Sequence, residues 1–368
     1  MYKMKKVICA ALCLMLLPGL FSCGKNKAAM TFDGASLSGE AYGYYIACYK
    51  QYWLTYFGKT DSPSFWSAES DGKTNAARLT EISDTAIKKR LICARLFDAS
   101  SLQLSDSEKA SIDRMIAAMK DASSGGKGIE EDEVFRALGI KEKDLREILT
   151  LDSKTAAFQD HLYGDDGVKK ITDDERERYY NENYYRFRLL YLMNSDFVRD
   201  EDGNIVYGEG GAAKITEISD DRYEEKLSLA KEILEKVRAG ESLQSYIDSY
   251  SEELERDDYK NGRYLSAVSE YGSLISAAVM KLSVGEAGLL QAPTGIYVLQ
   301  REENDPYAWK NEENEAGGDF YNFELLVTEH AFDEYLETYM DKVTVNEDVT
   351  GKYKMEELPY TFSWQYLF

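Results

Sequence analysis

The stretch that decides the fold is residues 172–194, TDDERERYYNENYYRFRLLYLMN. Its first part, Thr172 to Glu175, is a capping box, in which a Thr and a Glu three residues later satisfy the free amides at the start of a helix. From Phe187 to Asn194 the pattern changes to alternating β-forming residues, which predicts a strand. The sequence therefore predicts a helical part before this stretch and a mixed part after it.

The chain before this stretch is predicted to be mostly helical. Ser38 caps one predicted helix, and Ser105 with Glu108 forms a second capping box. The first of these helices carries a broad aromatic stripe at helical spacing. The stripe consists of Tyr45, Tyr49, Tyr52, Trp53 and Tyr56. Such a stripe favours a packed core, and the alternative is that part of it lines a groove for apolar peptide.

After residue 194, strand and helix patterns alternate. Asp202-Gly203 between two β-like runs predicts a hairpin, and Asp221–Arg238 predicts an amphipathic helix. Gly295–Arg301 predicts a later strand. Helices between two strands predict a compact α+β domain. A polar linker and another amphipathic helix, Phe320–Lys342, follow.

The N-terminal residues resemble an export signal. Three lysines precede an unbroken apolar run, Val7–Leu17, which is shorter than the ~20 residues that a membrane span needs. The segment Leu20-Phe-Ser-Cys23 is similar to the cleavage site of bacterial lipoproteins. This resemblance implies a signal peptide at 1–22, a lipid on Cys23 and a tether at 23–30. We therefore expect an extracytoplasmic protein anchored to the cell membrane; the alternatives are an ordinary secreted protein and an uncleaved anchor helix.

The chain is strongly acidic, with a net charge of −22 over 368 residues. An acidic surface repels nucleic acid and anionic lipid headgroups, so we expect neither as a ligand. The same surface attracts basic, unfolded polypeptide. The hydrophobic share of 44% is typical of a globular chain rather than a disordered one.

Cysteine and histidine are too sparse for a metal site. Once the signal is removed, only Cys48 and Cys93 remain besides the lipidated residue, and they either form a disulfide or are buried separately. No CxxC or Cys/His cluster is present, so we expect no structural zinc. His161 and His330 are the only histidines, and no cofactor is expected.

The order of these elements resembles the extracytoplasmic foldases of the SurA/PrsA kind. Three short motifs carry the N-terminal part of the resemblance: a strand, turn and Ser-x-Glu before a helix, then Leu138–Leu145, then Thr172–Asn183. Four further segments are similar to the parvulin-type peptidyl-prolyl isomerase (rotamase) domain of that family. They are Ala230–Leu243, Tyr250-Ser251, Ala278–Glu286 and Gly295–Leu299.

This resemblance implies an α+β fold in three parts. A mainly helical chaperone-like domain would occupy 31–170, and a parvulin-like α/β domain would be inserted at 171–304. Residues 305–368 would form a linker, a returning helix and a tail that packs on the helical domain. By the same resemblance, the protein is a folding factor whose partners are unfolded or exported polypeptides.

The resemblance also implies a site for proline. Its substrate-binding residues would be Leu189, Tyr271, Ile275 and Met280. Glu253 falls at the family's acidic or thiol position and Tyr297 at its second histidine, so both are candidate catalytic residues. A rotamase must bind the twisted amide better than the planar one, with polar groups near the carbonyl. Because Leu189 and Tyr297 replace both family histidines, the resemblance supports the fold more strongly than the activity.

Three functions remain open at this point. The chain is a folding factor with a degenerate parvulin-like domain, an active peptidyl-prolyl cis-trans isomerase, or a non-catalytic envelope scaffold. The missing histidines favour the first over the second, and the aromatic stripe favours the first over the third. A classical hydrolase is a poor interpretation, because the chain has neither Gly-x-Ser-x-Gly nor HExxH.

Overall fold

The chain has a mixed α+β structure, as the sequence predicts. The structure is a computed structural model, and it describes residues 28–120, 132–208, 210–254, 256–267, 269, 271–310 and 320–360. The predicted signal peptide and Cys23 lie outside the described residues. Among the helices that are described, none is both long enough and apolar enough to cross a bilayer.

The described residues contain twelve α-helices, two short 3-10 helices (Arg256–Tyr259 and Ala308–Lys310) and eleven strands, and the α-helices and strands are numbered here in chain order. The helices are α1 (Gly39–Tyr56), α2 (Pro63–Ser67), α3 (Asn75–Ala99), α4 (Asp106–Lys120), α5 (Glu133–Leu138), α6 (Glu142–Tyr163), α7 (Asp173–Asn183), α8 (Asp220–Arg238), α9 (Leu243–Tyr250), α10 (Ser273–Lys281), α11 (Phe323–Met340) and α12 (Glu347–Thr350). The strands are β1 (Met30–Phe32), β2 (Ala35–Leu37), β3 (Glu69–Ser70), β4 (Lys73–Thr74), β5 (Tyr185–Met193), β6 (Ser195–Phe197), β7 (Ile215–Glu217), β8 (Arg263–Leu265), β9 (Ala287–Ala292), β10 (Gly295–Arg301) and β11 (Thr344–Val345).

The chain divides into two compact units. Unit 1 comprises the residues up to Lys169 together with the segment from Phe332 onward, and unit 2 comprises Lys170–Ala331. Unit 1 is therefore built from two separate parts of the chain. The described residues between Asp305 and Ala331, which the sequence assigned to a linker and a returning helix, belong to unit 2.

Both predicted capping boxes are present. The Ser105 amide donates to the Glu108 carboxylate at 2.6 Å, and the Glu108 amide donates to the Ser105 hydroxyl at 3.2 Å. The same pair of bonds joins Thr172 and Glu175, at 2.7 and 3.2 Å. Each box satisfies amides that have no partner inside the helix, so α4 and α7 begin where the sequence predicts.

The core of unit 1 lies among α1, α3 and α6 and beside the three-stranded sheet β11–β1–β2. Phe332 and Leu336, from the second half of α11, are buried in this core. Cys48 and Cys93 are both buried there as free thiols. Their place in the apolar core accounts for their burial without a cross-link.

Unit 2 is built on a four-stranded antiparallel sheet with the order β8–β5–β10–β9. A separate aromatic cluster of Tyr, Trp and Phe side chains packs α7 and the first half of α11 together within the unit. The predicted turn at Asp202-Gly203 is present, because the Gly203 amide donates to the Asp200 carbonyl at 3.0 Å and Gly203 has φ of 85°. The strand β6 before it pairs with β7, beyond the predicted hairpin.

Candidate functional site

The four-stranded sheet of unit 2 buries a different set of side chains on each face, because side chains alternate along a strand. Leu190 and Leu192 of β5 pack against α8 and α9, together with Ile296 and Val298 of β10. Leu189 and Tyr297 lie on the opposite face, which α10 covers. We call this second surface the α10 face. Its buried members are Phe187, Leu189, Leu265, Val279, Tyr297 and Leu299.

Leu189 and Tyr297, which the sequence resemblance assigned to two histidine positions, lie on the same face. Leu189 stands opposite Leu299, and Tyr297 stands opposite Tyr191 across the β5–β10 ladder. Leu189 is 5% exposed and Tyr297 is 7% exposed. Since apolar side chains surround both residues, the α10 face is filled by the chain's own core.

Tyr297 forms a stacked pair with Tyr191, a residue that the sequence reasoning missed. The ring centroids are 4.6 Å apart and the planes differ by 7°. The hydroxyl of Tyr297 lies 2.7 Å from the Thr294 hydroxyl, and the hydroxyl of Tyr191 donates to the Thr294 carbonyl at 2.8 Å. Burial, and then the neighbouring Tyr297, raises the pKa of Tyr191 well above its usual value, so its phenol stays neutral.

Of the three other predicted pocket residues, two pack against the α10 face and one does not. Tyr271 and Ile275 pack against the buried cluster, and the Tyr271 ring meets Phe187 edge-on at 5.2 Å. Met280 is 58% exposed and is not part of the cluster, whereas its neighbour Val279 is fully buried. One residue along a helix is a rotation of about 100°, which turns Met280 away when Val279 points inward.

Glu253 is held by an ion pair. Its carboxylate accepts a hydrogen bond from the guanidinium of Arg263, whose side chain is 7% exposed against 22% for Glu253. Arg263 stands opposite Phe187 in the ladder, so it belongs to the α10 face. The guanidinium also lies 3.7 Å from the ring centroid of Tyr259. Glu253 is therefore near the predicted site, but its charge is already matched.

A second arginine on the same face has no acidic partner in the described part of the chain. Arg301 is 9% exposed and stands opposite Phe187 on β10. Its guanidinium lies 4.2 Å from the ring centroid of Tyr185, and neither Nε nor Nη1 has a hydrogen-bond partner there. Burial lowers the pKa of Arg301. The alternation along Gly295–Arg301 is the signal that places this residue with Tyr297 and Leu299.

These contacts limit the chemistry of the α10 face. The polar groups that a rotamase would direct at a twisted carbonyl are bonded to neighbours, Tyr297 to Thr294 and Glu253 to Arg263. Among the residues that the structure describes, no three His, Cys, Asp or Glu side chains are grouped so as to hold a metal ion. The geometry fits a packed scaffold better than a catalytic pocket.

Unit 1 contains a second candidate surface, formed by the last part of the aromatic stripe. Tyr45, early in the stripe, is buried at 2% exposure, but Tyr52, Tyr56 and the adjacent Phe57 are 50%, 68% and 44% exposed. The rings of Tyr52 and Tyr56 stack at 5.9 Å. We call the surface made by Tyr52, Trp53, Tyr56, Phe57 and Phe65 the aromatic patch. The packed-core interpretation of the stripe therefore holds for its first part, whereas the rings of its last part face solvent.

The rings of the aromatic patch contact one another continuously. Trp53 stacks on Phe57 with 6.2 Å between their ring centroids, and the ring centroids of Phe57 and Phe65 are 6.0 Å apart. A hydrogen bond to α3 holds Trp53 in place, because its indole N–H donates to the Ser83 hydroxyl at 3.3 Å. The patch is thus a supported row of rings with one face in water.

A groove also crosses unit 1 between α3 and α6. It consists of two adjoining cavities of about 420 and 390 Å³ that share Asp98, Arg146, Thr150 and Lys154. The apolar part of the lining includes leucine, isoleucine and phenylalanine side chains. Two ion pairs also line the groove. The Lys154 ammonium lies 2.6 Å from the Asp98 carboxylate, and the Arg146 guanidinium lies 2.6 Å from the Asp113 carboxylate.

Comparison with known proteins finds similarity in solved structures alone. No family model matches the chain, and no curated protein matches it. The chain is similar over most of its length to structures of PrsA. PrsA from Bacillus subtilis is 13% identical over 82% of this chain and 94% of its own, with a TM-score of 0.23.

Two further structures show the same similarity. The peptidylprolyl isomerase PrsA from Bacillus cereus is 15% identical, over 79% of this chain and 99% of its own, with a TM-score of 0.28. The foldase protein PrsA from Streptococcus pneumoniae is 14% identical, over 78% of this chain and 91% of its own, with a TM-score of 0.23. At such low identities and TM-scores, the activity of those proteins does not carry over to this chain.

Proposed function

We propose that this chain is an extracytoplasmic folding factor that binds unfolded, exported polypeptides at the aromatic patch of unit 1. The observation that carries the proposal is the exposure of Tyr52, Tyr56 and Phe57 side by side. Contiguous apolar surface on a soluble protein marks a place where something binds. Tyrosine presents an apolar ring and a polar hydroxyl, so it holds varied apolar segments while remaining wettable.

The charge of the chain favours an unfolded and basic client. A net charge of −22 keeps the protein soluble beside exposed apolar surface. It also attracts lysine-rich and arginine-rich segments over a distance of about 10 Å at moderate salt. Exposed aromatic rings on an acidic chain suit cationic side chains, which bind the faces of such rings.

The alternative of an active isomerase is less well supported by the α10 face. Leu189 offers no hydrogen-bonding side chain at the position of the first family histidine. Tyr297 and Glu253 are bonded to Thr294 and Arg263. We therefore propose that unit 2 contributes no proline catalysis, and that clients bind without a chemical step.

The lipid anchor completes the proposal. A lipidated Cys23 would hold the protein at the membrane face where exported chains emerge. Residues 23–30 reach at most about 28 Å when extended, so unit 1, which begins at this tether, would be the part held near the bilayer. Palmitate labelling of the full-length protein in cells tests the anchor, and a Cys23→Ala variant that stays membrane-bound and labelled would contradict it.

The binding proposal is tested by the aggregation of a chemically denatured, basic client diluted into buffer. We expect the full-length protein to suppress aggregation and a Tyr52→Ser/Tyr56→Ser/Phe57→Ser variant to lose most of the suppression. A matched control removes three exposed tyrosines elsewhere, Tyr207, Tyr307 and Tyr321, which are 56%, 70% and 61% exposed.

The outcomes separate the three functions. If the wild type does not suppress aggregation at excess protein, the scaffold interpretation replaces the folding factor. If the patch variant and the control variant lose suppression equally, the aromatic patch is not the binding surface. Acceleration of proline isomerisation in a protease-coupled peptide assay would restore the isomerase interpretation.

A further inference from the structure

Strand β9 lies at an edge of the four-stranded sheet, and its register decides which peptide groups face outward. Tyr297 pairs with Leu290, and its neighbours along β10 continue the same ladder. The Thr294 carbonyl accepts the Asn194 amide on the β5 side at 3.2 Å. Along an antiparallel strand, the N–H and C=O groups of successive residues point alternately to the two neighbouring strands. Because Thr294 bonds on the β5 side, the odd-numbered residues of β10, including Tyr297, bond to β9.

The same alternation places three peptide groups of β9 on the outside. Gly288, Leu290 and Ala292 bond inward to β10, in agreement with the Arg301 amide that donates to the Glu286 carbonyl at 2.9 Å just before the strand. Ala287, Leu289 and Gln291 therefore present their N–H and C=O groups to the outer side of the sheet. The outward direction of these groups follows from the order of the strands and not from the residue types.

On the other side of the sheet, the outward groups of Tyr191 and Met193 are covered. The Tyr191 amide of β5 donates to the Ser251 hydroxyl at 3.2 Å, and the Tyr191 carbonyl accepts the Glu252 amide at 2.8 Å. The Met193 amide donates to the Glu252 carboxylate at 2.6 Å, and Lys226 Nζ donates to the Met193 carbonyl at 2.9 Å. This part of the β5 edge is closed by dedicated side chains.

The β9 edge is left open over two of its three outward residues. Arg238 caps the Ala287 carbonyl at 3.2 and 3.3 Å. Within the described ranges, no hydrogen bond reaches the outward peptide groups of Leu289 or Gln291. The strand reads AGLLQA, without the charged residues and internal proline that usually protect an edge from pairing. Pro293 follows the strand and ends the edge.

We propose that this open edge, defined by Leu289 and Gln291, binds an extended segment of an unfolded client as an additional strand. The inference rests on the proposed function, and it specifies that unit 2 recognises client main chain. Backbone pairing is independent of side-chain identity, which suits a protein that must accept many sequences. Arg238 at one end and Pro293 at the other limit the segment to a few residues.

A client segment fits this edge better than a second copy of the chain. Pairing of two β9 strands through two open residues would bury far less than the ~1,200 Å² of a stable interface. Two copies that each carry a net charge of −22 also repel one another. A basic client is attracted by the same charge.

The added strand would lie next to the α10 face. The client residue opposite Leu290 would point to the same side of the sheet as Leu290 and its partner Tyr297. Leu290 is one of the partly buried residues packed against that cluster. The edge therefore favours client segments with an apolar residue opposite Leu290. The main-chain bonds to Leu289 and Gln291 would hold the client on either side of that residue.

The test compares Gln291→Pro with Gln291→Ala. Because the Gln291 amide points outward, proline removes no hydrogen bond of the sheet and blocks only the proposed pairing. Both substitutions remove the Gln291 side chain and its contact of 3.2 Å with the Tyr223 hydroxyl, so alanine is the matched control. The probe is reduced, carboxyamidomethylated ribonuclease A, which is basic and stays unfolded.

We expect the probe to slow hydrogen exchange at Leu289 and Gln291 in the wild type and to slow it at Leu289 in Gln291→Ala. Loss of the main-chain bond in Gln291→Pro should weaken probe binding by about threefold to tenfold relative to Gln291→Ala. Equal affinities for the two variants, or exchange at β9 that does not respond to bound probe, would overturn the edge and leave the proposed function standing. Absence of probe binding by the wild type would overturn the proposed function itself.

Two controls keep the result decisive. If Gln291→Pro does not fold, the exchange measurement on the wild type decides alone. If amide hydrogen exchange at β9 becomes slower as the protein concentration rises in the absence of probe, two copies of the chain pair through this edge. That result would overturn client binding at this edge.

Discussion

The rings of Tyr191 and Tyr297 stack 4.6 Å apart on adjacent strands, and both hydroxyls are bonded to Thr294. Tyr297, which the sequence resemblance assigned to a histidine position, is therefore part of a closed aromatic pair. Each hydroxyl is used to hold the turn between β9 and β10. This relationship makes Tyr297 a structural residue of unit 2.

Replacing Tyr297 with Phe tests that role. The change keeps the ring and removes the bond to the Thr294 hydroxyl, so we expect a loss of about 0.5–1.5 kcal/mol in the free energy of unfolding. Urea denaturation measures the loss, and suppression of client aggregation should be unchanged. If the wild type accelerates proline isomerisation and Tyr297→Phe abolishes the acceleration, Tyr297 is catalytic instead.

Replacing Glu253 with Ala leaves the buried guanidinium of Arg263 without its carboxylate. Breaking a fully buried pair costs about 3–5 kcal/mol, and because the Glu253 side chain is 22% exposed we expect about 2–3 kcal/mol. The control is Glu232→Ala, which breaks an exposed pair with Lys236 at 2.7 Å and should change stability much less. Equal effects of the two substitutions on urea denaturation would contradict the structural role of the Glu253–Arg263 pair.

The stability of unit 1 should depend on pH through Asp84. Burial raises the pKa of Asp84 above its ordinary value of 3.8, although the Tyr42 hydroxyl, which donates to it at 2.8 Å, works in the opposite direction. A carboxyl whose pKa is raised by folding binds its proton more tightly in the folded state, so its contribution is full below 3.8 and is lost as pH rises through the folded pKa.

Asp84→Asn should remove this part of the pH dependence. We expect the free energy of unfolding of the wild type to fall relative to that of Asp84→Asn as pH rises from about 4 to about 7. Urea denaturation of both proteins across this range measures the difference. A difference that grows in the opposite direction would mean that Tyr42 and Lys88 outweigh the burial of the carboxyl.

Gly43 of α1 is predicted to tolerate no side chain. A Cβ at this position would meet the ring of Tyr353, which also packs edge-on against Tyr42 at 5.9 Å. Alanine is ordinarily better than glycine inside a helix by about 0.5–1 kcal/mol. We expect Gly43→Ala nevertheless to destabilise unit 1 by about 1–3 kcal/mol, because the ring must move.

A double-mutant cycle identifies the cause of that loss. In a Tyr353→Ala background the obstacle is absent, so Gly43→Ala should become neutral or stabilising. Thermal denaturation of the four proteins gives the coupling. Destabilisation of the same size in both backgrounds would show that the contact with Tyr353 is not responsible.

The sequence by itself determined the local structure of this protein. The capping boxes at Ser105 and Thr172 form from residues three positions apart, so their hydrogen bonds are readable without knowledge of the rest of the chain. The alternation in Phe187–Asn194 likewise predicted a strand with two different faces. The structure then shows Leu189 on the face opposite Leu190 and Leu192.

Only the tertiary structure decided which of these surfaces are available. Tyr45 and Tyr56 belong to one aromatic stripe with one spacing, yet they are 2% and 68% exposed, because other elements cover only the first part of the helix. Because of the order in which the strands assemble, Glu253 meets Arg263. For the same reason Leu289, in the part of the chain that the structure describes, has β10 on one side and no strand on the other. Local patterns fix which face a side chain takes, but burial and pairing depend on residues that are distant in sequence.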